Sequence, residues 1–203
     1  IVGYGFDTMR EYAALVERAA GEGADFIKIM TTGLLDFRHN GHVTGTALPF
    51  AQVREMVHIA HEEGFAVMSH TNGDQAVQEA IESGVDSIEH GNFITEKTVR
   101  MLADSPSIWV PTAVTVHNMI GDGRYEDSVL KRIWAITEEN LQAAWECGAK
   151  VALGSDAGAY CVLHGQGLVD EYHLFQAALG AGEKLDRWLT DNEKELRKRF
   201  RRG

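Results

Sequence analysis

The sequence predicts a parallel α/β barrel, present as about five βα units. Three observations carry this. The chain repeats amphipathic helix, glycine, apolar strand and loop five times, which is the sequence form of βα units on a parallel sheet. Several strand segments are nearly continuous in apolar residues, as strands covered on both faces are. Four strands end in one polar residue of ligand type before small or glycine-rich sequence: ADFIKIMTTG with Lys28, GFAVMSHTNG with His70, GVDSIEHGN with His90 and KVALGSDAG with Asp156. The carboxyl ends of the strands are where a (β/α)8 TIM barrel places its chemistry.

In order, TMREYAALVERAAGEG is a helix, with apolar Met9, Tyr12, Ala13, Val16 and Ala20 at helical spacing and Gly21 and Gly23 at its end. Strand DFIKIM follows, and a glycine-rich, histidine-containing loop over residues 33–47 leads to Pro49 and the helix FAQVREMVHIAHEEG. Strand FAVMSH, helix DQAVQEAIESG, strand VDSIEH, helix TEKTVRMLADS and strand IWVPTAV come next. A long polar loop and the helix SVLKRIWAITEENLQAAWECG precede strand KVALGSD, and two helices finish the chain.

No linker or low-complexity tract divides the 203 residues, so a single domain over 1–203 is expected. A complete barrel takes about 250 residues, and the chain opens on IVGYGFDT without Met, so an N-terminally truncated barrel is expected. A net charge of −11 argues against a nucleic-acid footprint, which needs clustered positive charge. The tail KELRKRFRRG, with six basic residues and one acidic, is the exception. It reads as a solvated final helix whose cations favour the negative end of the helix dipole. Cys147 and Cys161 form no CxxC, so a reducing, cytoplasmic setting is expected. No stretch of apolar residues is long enough to span a bilayer. The expected partner is a small-molecule substrate, with no nucleic acid and no membrane; homo-oligomerisation stays open.

Side-chain alternation places His70 on one face with Met68 and Ala66, Asp156 with Ala152 and Gly154, and Lys28 with Phe26. If that face is the barrel interior, these residues converge. Two neutral imidazoles and a carboxylate make a divalent-metal shell, with zinc the default for mixed nitrogen and oxygen ligation. Such a metal activates water for hydrolysis, and a carboxylate beside that water can take its proton. Lys28 could react with carbon dioxide to give a carbamate, an anionic oxygen ligand. Taken singly, each residue has a plainer role. A strand-end His is usually a hydrogen-bonded structural residue, Asp156 in GSDAG a turn or cap residue, and Lys28 a Schiff-base nucleophile or the partner of a carboxylate. The four at matching positions favour the metal.

These segments, with the strand WVPT, resemble the later part of a metal-dependent amidohydrolase of the imidazolonepropionase-like and Xaa-Pro-dipeptidase-like branch. The resemblance covers most of residues 10–181, and its most specific block runs from SHTNG through SIEHG. It implies a barrel of amidohydrolase type holding strands four to eight, and hydrolysis of an amide, cyclic amide or dipeptide. It also implies two divalent metals, zinc by default, in an intact site. Lys28 would then be the carboxylated bridge, His70 and His90 ligands of the second metal, and Asp156 both ligand and general base. The family's first-strand H-x-H pair has no counterpart here. His39 and His42 in FRHNGHVTG have the wrong spacing and read as loop residues. By this reading the chain holds half of a binuclear site, so an inactive homologue is one alternative; a lysine Schiff-base aldolase on Lys28 is another.

Among weaker candidates for substrate contact, His117 follows the strand WVPTAV, and His164 and Tyr160 follow Asp156. His58, His61 and His173 read as helix-surface or packing residues, and the four tryptophans as packing residues.

Overall fold

The computed structural model describes residues 3–201. Helix α1 (Met9–Gly21) leads into β1 (Phe26–Met30), a short hairpin of β2 (Leu35–Asp36) and β3 (His42–Val43), and α2 (Phe50–Glu62). Then come β4 (Ala66–Thr71), α3 (Asp74–Glu82), β5 (Ser87–His90), α4 (Glu96–Ala103) and β6 (Ile108–Val110). The chain continues through α5 (Val114–His117), α6 (Asp127–Cys147), α7 (Gln166–Leu179) and α8 (Glu183–Arg199). Strands β1, β4, β5 and β6 form one parallel sheet in that order, so the fold is part of an α/β barrel, as the alternation predicts.

Local sequence explains the elements. Thr8 and Glu11 form a reciprocal capping box at the start of α1: Glu11 N donates to Thr8 Oγ1 and Thr8 N to the Glu11 carboxylate, both at 3.2 Å. Gly148, at φ 73°, closes α6 in the left-handed conformation that glycine adopts freely. One face of the sheet carries Ile27, Val67, Ile88 and Trp109 into a core shared with Val16, Met56, Val57, Val77 and Leu102 of the helices.

Three expectations need correction. Strand β1 is not covered on both faces: burial alternates along it, leaving Phe26 37% and Met30 47% exposed on the face that carries Lys28. Strand IWVPTAV stops at Val110 and becomes α5 three residues after Pro111. The segment KVALGSD is reduced to one parallel bridge, Trp109 to Val151, in which Trp109 N donates to Lys150 O and Ala152 N to Trp109 O, both at 2.9 Å. The last two share a cause. The next rung would need an N–H from Pro111, which has none.

The loop expected over 33–47 contains the β2–β3 hairpin and a single 3₁₀ turn, Phe37–His39. Gly33 lies so close to this hairpin that a Cβ would sit 1.9 Å from Thr44 O. The basic tail is helical through Arg199, with Arg197 and Arg199 paired to Glu193 and Glu195 one turn earlier. Arg202 and Gly203 lie outside the described residues. Among the described residues no helix is long and apolar enough to cross a membrane.

Candidate active site at the carboxyl end of the sheet

Lys28, His70, His90, Asp156 and Tyr160 all line one cavity of about 1030 Å³, which runs along β1 from α1 and takes in the carboxyl ends of β4 and β5. His117 and His164 do not line it. His117 ends α5 and packs edge-on against Trp134 of α6, ring centroids 5.3 Å apart, while His164 stands beside Gly158. Tyr160 donates to Asp122 Oδ2 at 2.9 Å, and the Arg124 guanidinium stacks over its ring. Of the plainer histidines, His61 bonds Asp86 and His39 bonds Asp36, both structural roles.

His70 is the last but one residue of β4, in register with Met30 of β1 and Glu89 of β5. Its ring meets that of His90 edge-on, with centroids 4.6 Å apart. Strict alternation would put His90 on the Ile88 side of β5, the core side. A left-handed backbone at His90, φ 70°, turns it out of that pattern. Gly91 follows at φ 63°, and Trp109 Nε1 donates to His90 O at 2.8 Å. A Cβ at Gly91 would stand 2.8 Å from that same Nε1. Gly91→Ala is therefore expected to cost about 1–2 kcal/mol for the left-handed backbone alone, and to displace His90. Urea unfolding and the chemical shifts of the His90 ring check both.

Asp156 and Thr112 also have left-handed backbones, at φ 50° and 48°. Such outliers persist only where surrounding contacts over-determine them, and they cluster at functional sites. Gly154 brings the Asp156 segment against β6: a Cβ there would lie 2.4 Å from Val110 Cγ1.

A belt of polar side chains ties the strand ends together. Thr31 Oγ1 bonds Thr71 Oγ1 at 2.7 Å, Asn72 N donates to Thr32 Oγ1 at 3.0 Å, and Asn92 Nδ2 donates to Asn72 Oδ1 at 2.9 Å. These groups are buried and satisfied, which makes the platform rigid.

Electrostatics favours neutral imidazoles. Burial pushes the His90 pKa down to about 3, helped by His70 and by the Lys28 ammonium. His70 is lowered by burial and by Lys28, against the pull of Gly33 O and of Asp156. Metal ligation requires histidine in this neutral form. Ring-nitrogen partners are also assigned: Thr112 Oγ1 lies 2.6 Å from His90 Nδ1 and Gly33 O 3.1 Å from His70 Nε2. Each imidazole keeps its other nitrogen outside these bonds. Among the described residues no three His, Cys, Asp or Glu side chains close together as a metal shell. The two adjacent neutral imidazoles, with Lys28 and Asp156 in the same cavity, therefore fit part of a metal site.

Three residues that support the site from outside the cavity lining were not singled out from the sequence. Glu89 is buried, and burial raises its pKa, opposed by a 2.6 Å hydrogen bond from Ser87 and by Lys28. It belongs to the interior face by simple alternation from Ser87, a signal available in VDSIEH. Thr112 and Glu171 offered no such signal, since their roles depend on contacts between distant elements.

The sequence pattern of the amidohydrolase family matches residues 7–186. An uncharacterized protein of Mycobacterium bovis is 30% identical over 151 residues, which cover 68% of this chain and 40% of that protein. A Xaa-Pro dipeptidase crystallised with methionine in its active site superposes with a TM-score of 0.75 at 24% identity, over 95% of this chain and 48% of that one. A prolidase complexed with N-methylphosphonate-L-proline gives 0.66 at 24% identity, over 86% of this chain and 43% of that one. The chain thus spans less than half the length of each of these proteins, and the two structural likenesses show the fold.

Proposed function

This chain belongs to the amidohydrolase family, and from that premise we propose that it forms part of a metal-dependent hydrolase cleaving a C–N bond. The observation that supports this best is the pair of neutral imidazoles, His70 and His90, 4.6 Å apart in a cavity shared with Lys28 and Asp156. Lys28 as its carbamate, His70, His90 and Asp156 would hold divalent metal, zinc by ligand type. When bound, the metal lowers the pKa of water and polarises the scissile carbonyl.

The rest falls to the chain's own residues. Burial keeps the imidazole lone pairs available. The Asp156 carboxylate takes the proton of the attacking water as its oxygen bonds to the carbonyl carbon. That proton then passes to the leaving nitrogen as the C–N bond breaks. Tyr160, which lines the cavity, would contact substrate. The likeness to a Xaa-Pro dipeptidase and to a prolidase supports a dipeptide as substrate.

The test is His70→Ala and His90→Ala, scored for bound zinc and for release of amino acid from Xaa-Pro dipeptides. Each variant is expected to lose metal by more than the roughly 10–100-fold that removal of a supporting residue costs, with hydrolysis lost in step. Full retention of metal and turnover in both variants would sink the proposal. Indifference to chelators, with borohydride trapping of substrate on Lys28, would point instead to Schiff-base chemistry.

A further inference from the structure

We propose that Glu171 is a positioning residue that fixes the ring orientation and tautomer of His90 by holding Thr112 in place. The inference rests on the reading of His90 as a metal ligand. Glu171 is fully buried on α7, and its two carboxyl oxygens accept separately from Ala113 N at 3.0 Å and Val114 N at 2.9 Å. Those are the two residues after Thr112, whose φ of 48° is unfavourable for a β-branched side chain. A turn that Thr112 would not hold alone is thus clamped from behind by a carboxyl group 58 residues away along the chain.

The clamped hydroxyl decides the tautomer. Thr112 Oγ1 donates its one hydrogen to Pro111 O at 2.7 Å. It can then only accept at His90 Nδ1, 2.6 Å away, so the ring carries its proton on Nδ1. The lone pair is left on Nε2. A histidine ligand needs this arrangement, with one nitrogen protonated and oriented by an outer partner and the other free to coordinate. Moving Thr112 removes both the orientation and the choice of nitrogen.

The experiment is ¹⁵N NMR of the histidine rings in the metal-free chain, followed by zinc titration. Wild type is expected to show His90 protonated on Nδ1. Glu171→Gln keeps one acceptor but replaces the other carboxyl oxygen, which accepts from a backbone N–H, with an NH2 group that accepts nothing, and is expected to turn His90 into a mixture of tautomers. Zinc affinity should fall by about 10–100-fold. Thr112→Val should do the same, and the double variant should be no worse than Thr112→Val alone. If Glu171→Gln does not fold, Glu171→Asp, which shortens the reach of the carboxylate, carries the same measurement. An unchanged His90 tautomer in a folded Glu171 variant overturns the proposal, and so do additive effects in the double variant. Tautomer changes as expected in a chain that binds no zinc at all would support the clamp and refute the metal reading instead.

Discussion

Trp109→Ala is expected to lower the unfolding free energy by about 3–5 kcal/mol, the usual cost of emptying a large aromatic site in a core. Trp109 is 1% exposed on β6, the last strand of the sheet, paired with Ile88 on one side and bridged to Val151 on the other. Its indole N–H is the donor to His90 O, so truncation also leaves a part-buried carbonyl without that partner, worth about a further 1 kcal/mol. Against a typical total of about 5–15 kcal/mol, the variant should unfold at much lower urea. Trp109→Phe separates the two contributions. It keeps most of the packing and loses only the N–H, so its cost should be the smaller, while His90 is released in both. Equal stability of wild type and Trp109→Ala in urea would contradict the packing described here.

The second large effect is on pH. Burial raises the Glu171 carboxyl from 4.5 to about 8, against the pull of the backbone N–H groups of Val114, Ala113 and Thr112. Between these values the folded chain holds a proton that the unfolded chain has released. Stability therefore falls as pH rises through this window, by up to about 1.4 kcal/mol per pH unit. The buried Glu89 carboxyl, also raised, acts in the same direction. His70 and His90 act oppositely on the acid side, because the unfolded chain takes up protons that the buried rings refuse. Glu171→Gln has nothing to titrate and should lose the alkaline decline that Glu171 contributes. Urea unfolding of both proteins at about pH 5, 6.5 and 8, across this window, reads the difference directly; parallel curves would show that Glu171 does not hold its proton.

Much of the site is legible in the sequence because strand alternation is a local rule. Lys28 and His70 come after apolar runs whose faces can be counted, and both line the cavity; Asp156 lines it too, but from a segment with no strand beyond the bridge at Val151. Glu89 follows by the same counting from Ser87. The length of the last two strands was not legible, because it depends on which residue pairs with Pro111. That partner is fixed by register, and register joins segments some 40 positions apart.

By itself, then, the sequence determined the βα alternation, the amidohydrolase resemblance and the strand ends that carry candidate ligands. Only the tertiary structure decided how His90 joins them. Its position in β5 assigns it to the core side. A left-handed backbone, made possible by the bare Gly91 under the Trp109 indole, turns its ring against His70. Thr112, clamped by Glu171 from α7, then decides which ring nitrogen carries the proton. The physical reason is range. Periodicity is written by neighbours in the chain, whereas backbone strain and a tautomer are sustained only by contacts that the folded chain brings together.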